Sequence, residues 1–210
     1  MSNNNELTNK VFKARKNLLD YLKDIDYNTN EYENFDLNNV GILVENEQLD
    51  MLLSNSKNKK IYVKFYIFKS NLRLNVINDM ISDLYVIEEV LDPDDTLLII
   101  IKDIPNASTK DIQSQLFSDE NKFINIFGLD TLQFNILNHT LVPKHTVLTN
   151  EEIKEVKETY NISNNNHFPT ISRFDPPVMA INAKPGDIIK IERSCKNSIN
   201  SNYYRLCINE

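Results

Sequence analysis

Apolar and polar residues follow two different spacings along the chain, and each spacing predicts a kind of element. In the segment 10–23, apolar residues recur largely at helical intervals, which predicts an amphipathic helix. Lys13, Arg15 and Lys16 fall between them and fit a solvated helix face, with a phosphate contact as the alternative. The residues before this segment, 1–9, are polar, and we expect them to be frayed.

Strand and helix patterns then alternate. Apolar and β-branched runs predict strands at 41–46, 59–68 and 95–101, with one strand or two more within 122–137. Helical spacing predicts helices at 77–90 and 108–118. The run DTLLIII is of the kind that is buried on both faces of a sheet. Strands that alternate with helices indicate an α/β domain.

The pattern breaks at 138–145, NHTLVPKH, where Pro143 interrupts it and the charge balance changes. Before His139 there are 14 Lys and Arg against 22 Asp and Glu, a net of −8, and after it 9 against 8, a net of +1. We therefore predict an N-terminal α/β domain at 1–138 and a small α+β module at 139–210. Autonomous binding of nucleic acid is not expected, because neutralising phosphates needs a strongly basic face.

The second module carries clear element signals. Thr149 and Glu152 have the spacing of a capping box, which predicts that a short helix follows Thr149. The remaining patterns predict that helix at 150–160, a loop at 161–169, and paired strands at 187–194 and 202–208 joined by a turn at 194–202.

Cysteine and histidine are sparse. Cys195 and Cys207 lie near the end of the sequence, no secretory signal precedes Val11, and no long apolar run occurs. We therefore expect a reduced intracellular protein without membrane association. The histidines and cysteines lack the paired ligand spacing that marks zinc sites, so we expect neither a metal nor a cofactor.

The segment 168–194, FPTISRFDPPVMAINAKPGDIIKIERS, concentrates proline in one place. Asp175-Pro176-Pro177 predicts an extended, rigid entry, because each proline fixes its own φ and restricts the residue before it. Lys184-Pro185-Gly186-Asp187 has the form of a tight turn. Asp175 and Asp187 are a poor acid/base pair, and no serine or cysteine here has a base at a suitable spacing. A rigid surface that docks on another protein is the better interpretation.

Several motifs, in order, also match a known family. HTLVPKHTVLTNEEIKEVKETYNIS, then FPTISRFDPPV, AKPGDIIKIERS and YYRL, resemble the C-terminal module that the fifth subunit of eukaryotic nuclear RNA polymerases shares with a small subunit of archaeal RNA polymerase. This resemblance covers 138–210. Weaker cues, such as VFKARKNLLDYLKDIDY and DTLLIIIKDIPNASTKDIQSQL, make the preceding residues similar to the extra domain of the eukaryotic-type protein, which the archaeal one lacks.

The resemblance implies a non-catalytic subunit of a multisubunit DNA-directed RNA polymerase, with no catalytic, metal or cofactor site of its own. In the family, the C-terminal module anchors to the largest subunit, and the N-terminal domain forms part of a jaw beside downstream DNA, next to neighbouring subunits. Asp175 and Arg193 would supply charged hydrogen bonds to the partner. For Arg193 and Arg205, a role as solvated strand residues is an equal alternative. The anchoring residues implied here are Pro169, Ile171, Asp175, Pro176, Gly186, Asp187, Ile189, Arg193, Tyr204 and Arg205.

A loop near downstream DNA in the family corresponds to Asn106–Thr109 here, and it lacks the family's Thr-Pro-Ser-Ala sequence. The resemblance makes Ser108, Thr109 and Lys110 the candidate residues for a weak DNA contact. The abundance of Asn, Ile and Lys suggests an AT-rich genome, such as that of a protist or a large DNA virus. The expected location is then the nucleus, or a cytoplasmic viral compartment or virion.

Two other functions stay open at the level of sequence. The family's N-terminal domain is similar in fold to a restriction-type nuclease, whose magnesium site needs an acid two residues before a lysine on a strand. This chain has Tyr62-Val63-Lys64, and a tyrosine cannot replace the carboxylate. The other alternative is a stand-alone adaptor that binds transcription factors through the acidic domain.

Overall fold

The computed structural model describes residues 2–69, 72–193 and 201–210. The chain forms two compact units, Met1–Asn135 and Ile136–Glu210. Each unit combines a mixed, four-stranded sheet with helices, in agreement with a two-part architecture of α/β type. Within the described ranges, no helix is both long and apolar enough to cross a membrane.

The N-terminal unit places its helices around a largely parallel sheet. Its strands are β1 (Met51–Ser54), β2 (Lys60–Tyr66), β3 (Thr96–Ile101) and β4 (Phe123–Gly128). Its helices are α1 (Ser2–Asp24), α2 (Asn30–Glu33), α3 (Leu37–Glu45), α4 (Leu74–Ser82) and α5 (Ala107–Glu120). The strands lie side by side in chain order, with β1 antiparallel to β2 and the other neighbours parallel. Helix α5 connects β3 to β4, as parallel neighbours require a long crossover.

The core of this unit forms where α4 and α5 pack on the apolar strands. Every residue of β4 is buried, and β3 is buried up to Ile100, which confirms the prediction for the DTLLIII run. The predicted helix at 77–90 is α4 followed by a π-helical turn at Asp83–Ile87. The buried cluster consists of Ile77, Ile81, Leu84, Leu91, Leu97, Ile99, Leu116, Ile124 and Ile126.

The N-terminal helix starts earlier than its sequence pattern indicates. α1 begins at Ser2, so the prediction that residues 1–9 are frayed is wrong for residues 2–9. The early turns are joined to the rest of the helix by side-chain contacts: the Asn9 side chain donates to the Asn5 carbonyl at 2.9 Å, and Lys10 pairs with Glu6. A long helix propagates through polar residues once its apolar part is packed.

The predicted strand at 41–46 is also wrong, because these residues belong to helix α3. Val40 and Val44 are buried one helical turn apart, and Asp36 precedes the helix with extended backbone. Helix α3 packs beside α1, and a Cβ added at Gly41 would lie 3.6 Å from the Thr8 side chain, at ordinary van der Waals contact. The strand that pairs with β2 is instead β1, which follows α3 in the chain.

Only one strand lies within 122–137, namely β4. It ends at Gly128, where an added Cβ would come within 2.8 Å of the Asp103 carbonyl oxygen. The chain then turns through two 3-10 segments, Leu129–Leu132 and Ile136–Asn138.

The C-terminal unit is a smaller mixed sheet with two helices in its described part. Its strands are β5 (Lys144–Val147), β6 (Thr170–Ser172), β7 (Ile188–Arg193) and β8 (Ser201–Ile208), and its helices are α6 (Asn150–Thr159) and α7 (Pro176–Ala180). The sheet order is β5-β7-β8-β6, with β6 parallel to β8 and the other neighbours antiparallel. The predicted pairing of the last two strands is confirmed. Most of the predicted turn between them, with Cys195, lies outside the described residues.

Helix α6 begins with the predicted capping box. The Thr149 hydroxyl accepts from the Glu152 N–H, and the Glu152 carboxylate accepts from the Thr149 N–H at 2.8 Å. One face of the sheet is closed by a cluster in which Ile153 and Val156 of α6 pack near Ile188.

Candidate partner-binding surface

The turn at Lys184-Pro185-Gly186-Asp187 has the predicted geometry. Gly186 has φ +98°, and the Asp187 N–H donates to the Lys184 carbonyl at 3.0 Å. The Asp187 carboxylate accepts from the Lys184 N–H at 2.7 Å, and burial raises the pKa of this carboxyl group. The Gly186 N–H donates to the Cys207 carbonyl at 2.9 Å and the Cys207 N–H donates to the Asp187 carbonyl at 2.8 Å, which joins the turn to β8. The turn is therefore a rigid part of the sheet.

The Asp-Pro-Pro sequence differs in part from the prediction. Asp175 is extended, with ψ 128°, as expected for a residue before proline. Pro176 and Pro177, however, start helix α7 instead of continuing an extended segment, so that part of the prediction is wrong. Proline suits the first turn of a helix, because its missing N–H would have no intrahelical acceptor there.

One face of the sheet collects several of the predicted anchoring residues. His145 on β5 pairs with Ile191 on β7, which in turn pairs with Tyr203 on β8. Directly paired residues share a face, and so do residues two apart along a strand, so Arg193 lies on this face as well. Its guanidinium is 5.1 Å from the centre of the Tyr203 ring.

His145 lies near both charged candidates. Its pKa is lowered mainly by burial; the Asp175 carboxylate acts to raise it and the Arg193 guanidinium to lower it further. Its Nδ1 lies 2.7 Å from the Pro143 carbonyl oxygen, which can only accept, so Nδ1 carries a proton. The structure thus brings Asp175 and Arg193 together around His145, a residue that the sequence pattern does not single out. We call His145, Asp175, Arg193 and Tyr203 the charged cluster.

The other anchoring candidates occupy different environments. Ile171 and Ile189 are on the same face as the charged cluster but are buried in the core, Ile189 completely. Their side chains therefore hold the strands and offer little surface to a partner. Tyr204 is on the opposite face, with its ring 5.8 Å from that of Tyr160. Arg205 is held by a 2.9 Å bond from its Nη1 to the Thr170 carbonyl oxygen. The exposed candidates are Pro169, Pro176, Gly186 and Arg193.

A buried arginine in this unit has no counterpart among the sequence predictions. Arg173 is 1% exposed, and its Nη1 donates to the Asn209 side-chain oxygen at 3.1 Å. Burial lowers the pKa of Arg173 to about 10 and raises the pKa of the buried Cys207 thiol to about 12. The Arg173 side chain thus connects the segment between β6 and α7 to the end of β8. Nothing in the sequence around Arg173 indicates that this charged side chain is buried.

The candidate DNA-proximal residues form the first turn of α5. The Asn106 side chain caps this helix by accepting from the Thr109 N–H at 2.9 Å and from the Thr109 hydroxyl at 2.7 Å. Thr109 is buried, whereas Ser108 and Lys110 are exposed at the positive end of the helix dipole.

The lysine of the nuclease alternative does have a carboxylate beside it. Lys64 Nζ lies 2.5 Å from the Asp50 carboxylate, which also accepts from the Tyr62 hydroxyl at 3.2 Å. The other oxygen of the Asp50 carboxylate accepts from the Phe65 N–H at 3.0 Å. Asp50 therefore satisfies a backbone donor of β2. Among the residues that the structure describes, no group of three or more His, Cys, Asp or Glu could hold a metal ion.

Comparisons with known proteins concern the C-terminal part of the chain. Residues 134–207 match the family model described as RNA polymerase Rpb5, C-terminal domain. The chain is 41% identical over 78 residues to the DNA-directed RNA polymerase subunit Rpo5 of Thermococcus kodakarensis, covering 37% of this chain and 94% of that protein. It is 40% identical over 77 residues to Rpo5 of Archaeoglobus fulgidus, covering 37% of this chain and 100% of that protein. The chain therefore belongs to the Rpb5 family of DNA-directed RNA polymerase subunits.

Proposed function

We propose that this chain is a non-catalytic subunit of a multisubunit DNA-directed RNA polymerase and that its C-terminal unit anchors it to the largest subunit. The observation that carries the proposal is the coverage of the archaeal relatives: the matched region includes nearly all of a protein named as a polymerase subunit. In the archaeal relatives this module is nearly the whole subunit, so it must bind the rest of the complex without a further domain.

The geometry of the C-terminal unit supports the anchoring role. The turn at Gly186 and the start of helix α7 at Pro176 each hold an exposed candidate in one conformation, so little entropy is lost when they bind. The charged cluster adds the acid Asp175, just before helix α7, and the exposed base Arg193 on β7, which would fix the register of the contact more than its strength.

The N-terminal unit would act as the jaw beside downstream DNA. With 14 Lys and Arg against 22 Asp and Glu before His139, it is too acidic to hold a duplex by itself. A subunit that is anchored elsewhere needs only a weak local contact, for which Ser108 and Lys110 at the start of α5 are suited. The location of the chain would be that of its polymerase, in the nucleus or in a viral compartment.

The experiment is purification of the tagged chain from its native source at moderate salt, with mass spectrometry of what accompanies it. Two very large subunits in a fixed ratio to the chain are the expected result. A chain that elutes alone and monomeric would contradict the proposal and favour a stand-alone adaptor. Addition of magnesium and DNA to the purified chain tests the nuclease alternative directly, and no cleavage is expected.

A further inference from the structure

Arg15 in helix α1 has an environment that differs from the one its sequence position predicts. The sequence pattern puts it with Lys13 and Lys16 on a solvated helix face, and for Arg15 this is wrong, because its side chain is only 3% exposed. Its guanidinium lies 4.7 Å from the centre of the Phe35 ring and 5.4 Å from that of Tyr32. The cation is thus enclosed by two aromatic rings.

The Nε of the Arg15 guanidinium is buried without a hydrogen-bond partner in the described part of the chain. Burial lowers the pKa of Arg15. Arginine carries five N–H donors, and leaving such a charge buried without acceptors is costly, even with aromatic contacts. An acceptor from outside the chain would therefore stabilise this buried donor.

Space for that acceptor lies directly beside Arg15. A cavity of about 420 Å³ opens between α1 and the segment that leads into α3. Its walls combine apolar and charged side chains, and Lys23 is already paired with Glu33 at 2.9 Å. The lining residues that the argument uses are apolar (Phe12, Leu19 and Val40), acidic (Asp20, Glu33 and Asp36) or basic (Arg15, Lys16 and Lys23). We call this cavity the Arg15 cleft.

The charges around the cleft select the kind of acceptor. A carboxylate matches the planar guanidinium and brings a single negative charge. Three bases and three acids line the cleft, so its lining is balanced, whereas the whole unit has a net charge of −8 (14 minus 22), which disfavours the many phosphates of a nucleic-acid backbone. The apolar walls suit the methylene groups of an Asp or Glu side chain. We propose that the Arg15 cleft docks an acidic side chain of a partner polypeptide.

The test places a photo-crosslinker in the cleft of the full chain in its native source. p-Benzoylphenylalanine replaces Phe12, which lines the cavity and is not one of the two rings against Arg15. After irradiation, the tagged chain is purified under denaturing conditions and the crosslinked peptide is identified. The same crosslinker at Phe134, which is 55% exposed and does not line the cleft, is the background control.

The expected result is a crosslink to a polypeptide segment that contains Asp or Glu, at a yield well above the Phe134 background. Arg15→Met should reduce the yield by about tenfold or more, because it removes one partner of a buried charge pair. Lys13→Met, on an exposed residue of the same helix that does not line the cleft, should leave the yield within about twofold. Changing the identified acid to its amide in the partner should repeat the loss.

Several results would overturn the proposal: a crosslink yield that Arg15→Met does not change, a crosslinked partner segment without Asp or Glu, or a crosslink to nucleic acid. A yield no higher than that at Phe134 would also overturn it and would mean that water alone fills the cleft. If Arg15→Met lowers the unfolding midpoint of the isolated chain, Arg15→Lys replaces it; this variant keeps the charge and should still weaken docking. Because the crosslink is read on the chain itself, the outcome does not depend on which complex the chain belongs to.

Discussion

The two units bury an arginine in contrasting ways. Arg173 in the C-terminal unit is bonded to Asn209, and its own backbone N–H donates to the Ile208 carbonyl. Arg15 in the N-terminal unit is equally hidden but is surrounded by the rings of Tyr32 and Phe35 and an open cavity. Among the described residues, the Nε of each arginine is buried without a hydrogen-bond partner, but Arg173 is bonded to its own unit through Nη1, whereas Arg15 lines a cavity. Substitutions in each unit can test this difference between an arginine that is bonded within its own unit and one that lines a cavity.

The largest effect is expected on assembly, from reversing two charges of the C-terminal unit. Asp175→Lys with Arg193→Glu keeps opposite charges near His145, so the unit should stay folded while its charges toward a partner are inverted. Like charges across an interface cost several kcal/mol, so incorporation into the polymerase should fall by about tenfold or more. The measurement is the ratio of tagged chain to the largest subunit after purification.

A matched reversal on the other face provides the control. Lys190 and Glu192 pair at 3.0 Å on β7, and exchanging them alters as many charges away from the charged cluster. This variant should be incorporated normally. Normal incorporation of the folded Asp175→Lys, Arg193→Glu variant would remove the anchoring assignment and leave family membership intact.

The next effect concerns stability and compares the arginines directly. Arg173→Met removes a charged hydrogen bond and should destabilise the C-terminal unit by about 2 kcal/mol. Arg15→Met removes a buried charge whose Nε lacks a hydrogen-bond partner in the described part of the chain, and it should change the stability of the N-terminal unit by less than about 1 kcal/mol. Amide hydrogen exchange in β8 and in α1 measures the two units separately. Equal losses would mean that the contrast between the arginines has no energetic basis.

A smaller pair of opposite effects is expected at two glycines. Gly186→Ala should destabilise the C-terminal unit by about 1–2 kcal/mol, because φ +98° disfavours any side chain although nothing lies within 4 Å of the new Cβ. Gly41→Ala in helix α3 should be neutral or stabilise the N-terminal unit by up to about 1 kcal/mol. Urea unfolding, followed separately in each unit, shows whether each substitution stabilises or destabilises it. A stabilising Gly186→Ala would contradict the turn geometry.

The smallest effect is a change in pH dependence. Burial depresses the pKa of His145 in the folded state, so its neutral form is favoured there. Its contribution to stability is present above its unfolded pKa of about 6.5 and is lost as pH falls below that value. His145→Gln should flatten the acid side of the stability profile of the C-terminal unit, as measured by denaturation between about pH 5 and pH 8. A profile with the same slope would show that another group titrates there.

The features predicted correctly from the sequence are those that neighbouring residues determine. The Thr149 capping box, the turn at Gly186 and the apolar strand at 96–101 each depend on a few adjacent side chains. The missed features depend on distant partners. Residues 41–46 are apolar enough for a strand, but packing against α1 makes them helical. Arg15 is buried by the rings of Tyr32 and Phe35, well beyond its own helix, and no local pattern could indicate this.

The sheet order of the C-terminal unit also determines when the unit can exist at all. Among the described residues, β6 pairs with the sheet through β8, which follows both β6 and β7 in the chain. During synthesis, β5 and β7 can pair early, but β6 and the turn at Gly186 find their partners only after Cys207 has left the ribosome. A chain interrupted before residue 201 would leave that surface unassembled. The topology thus makes the surface that we propose for anchoring depend on translation through β8.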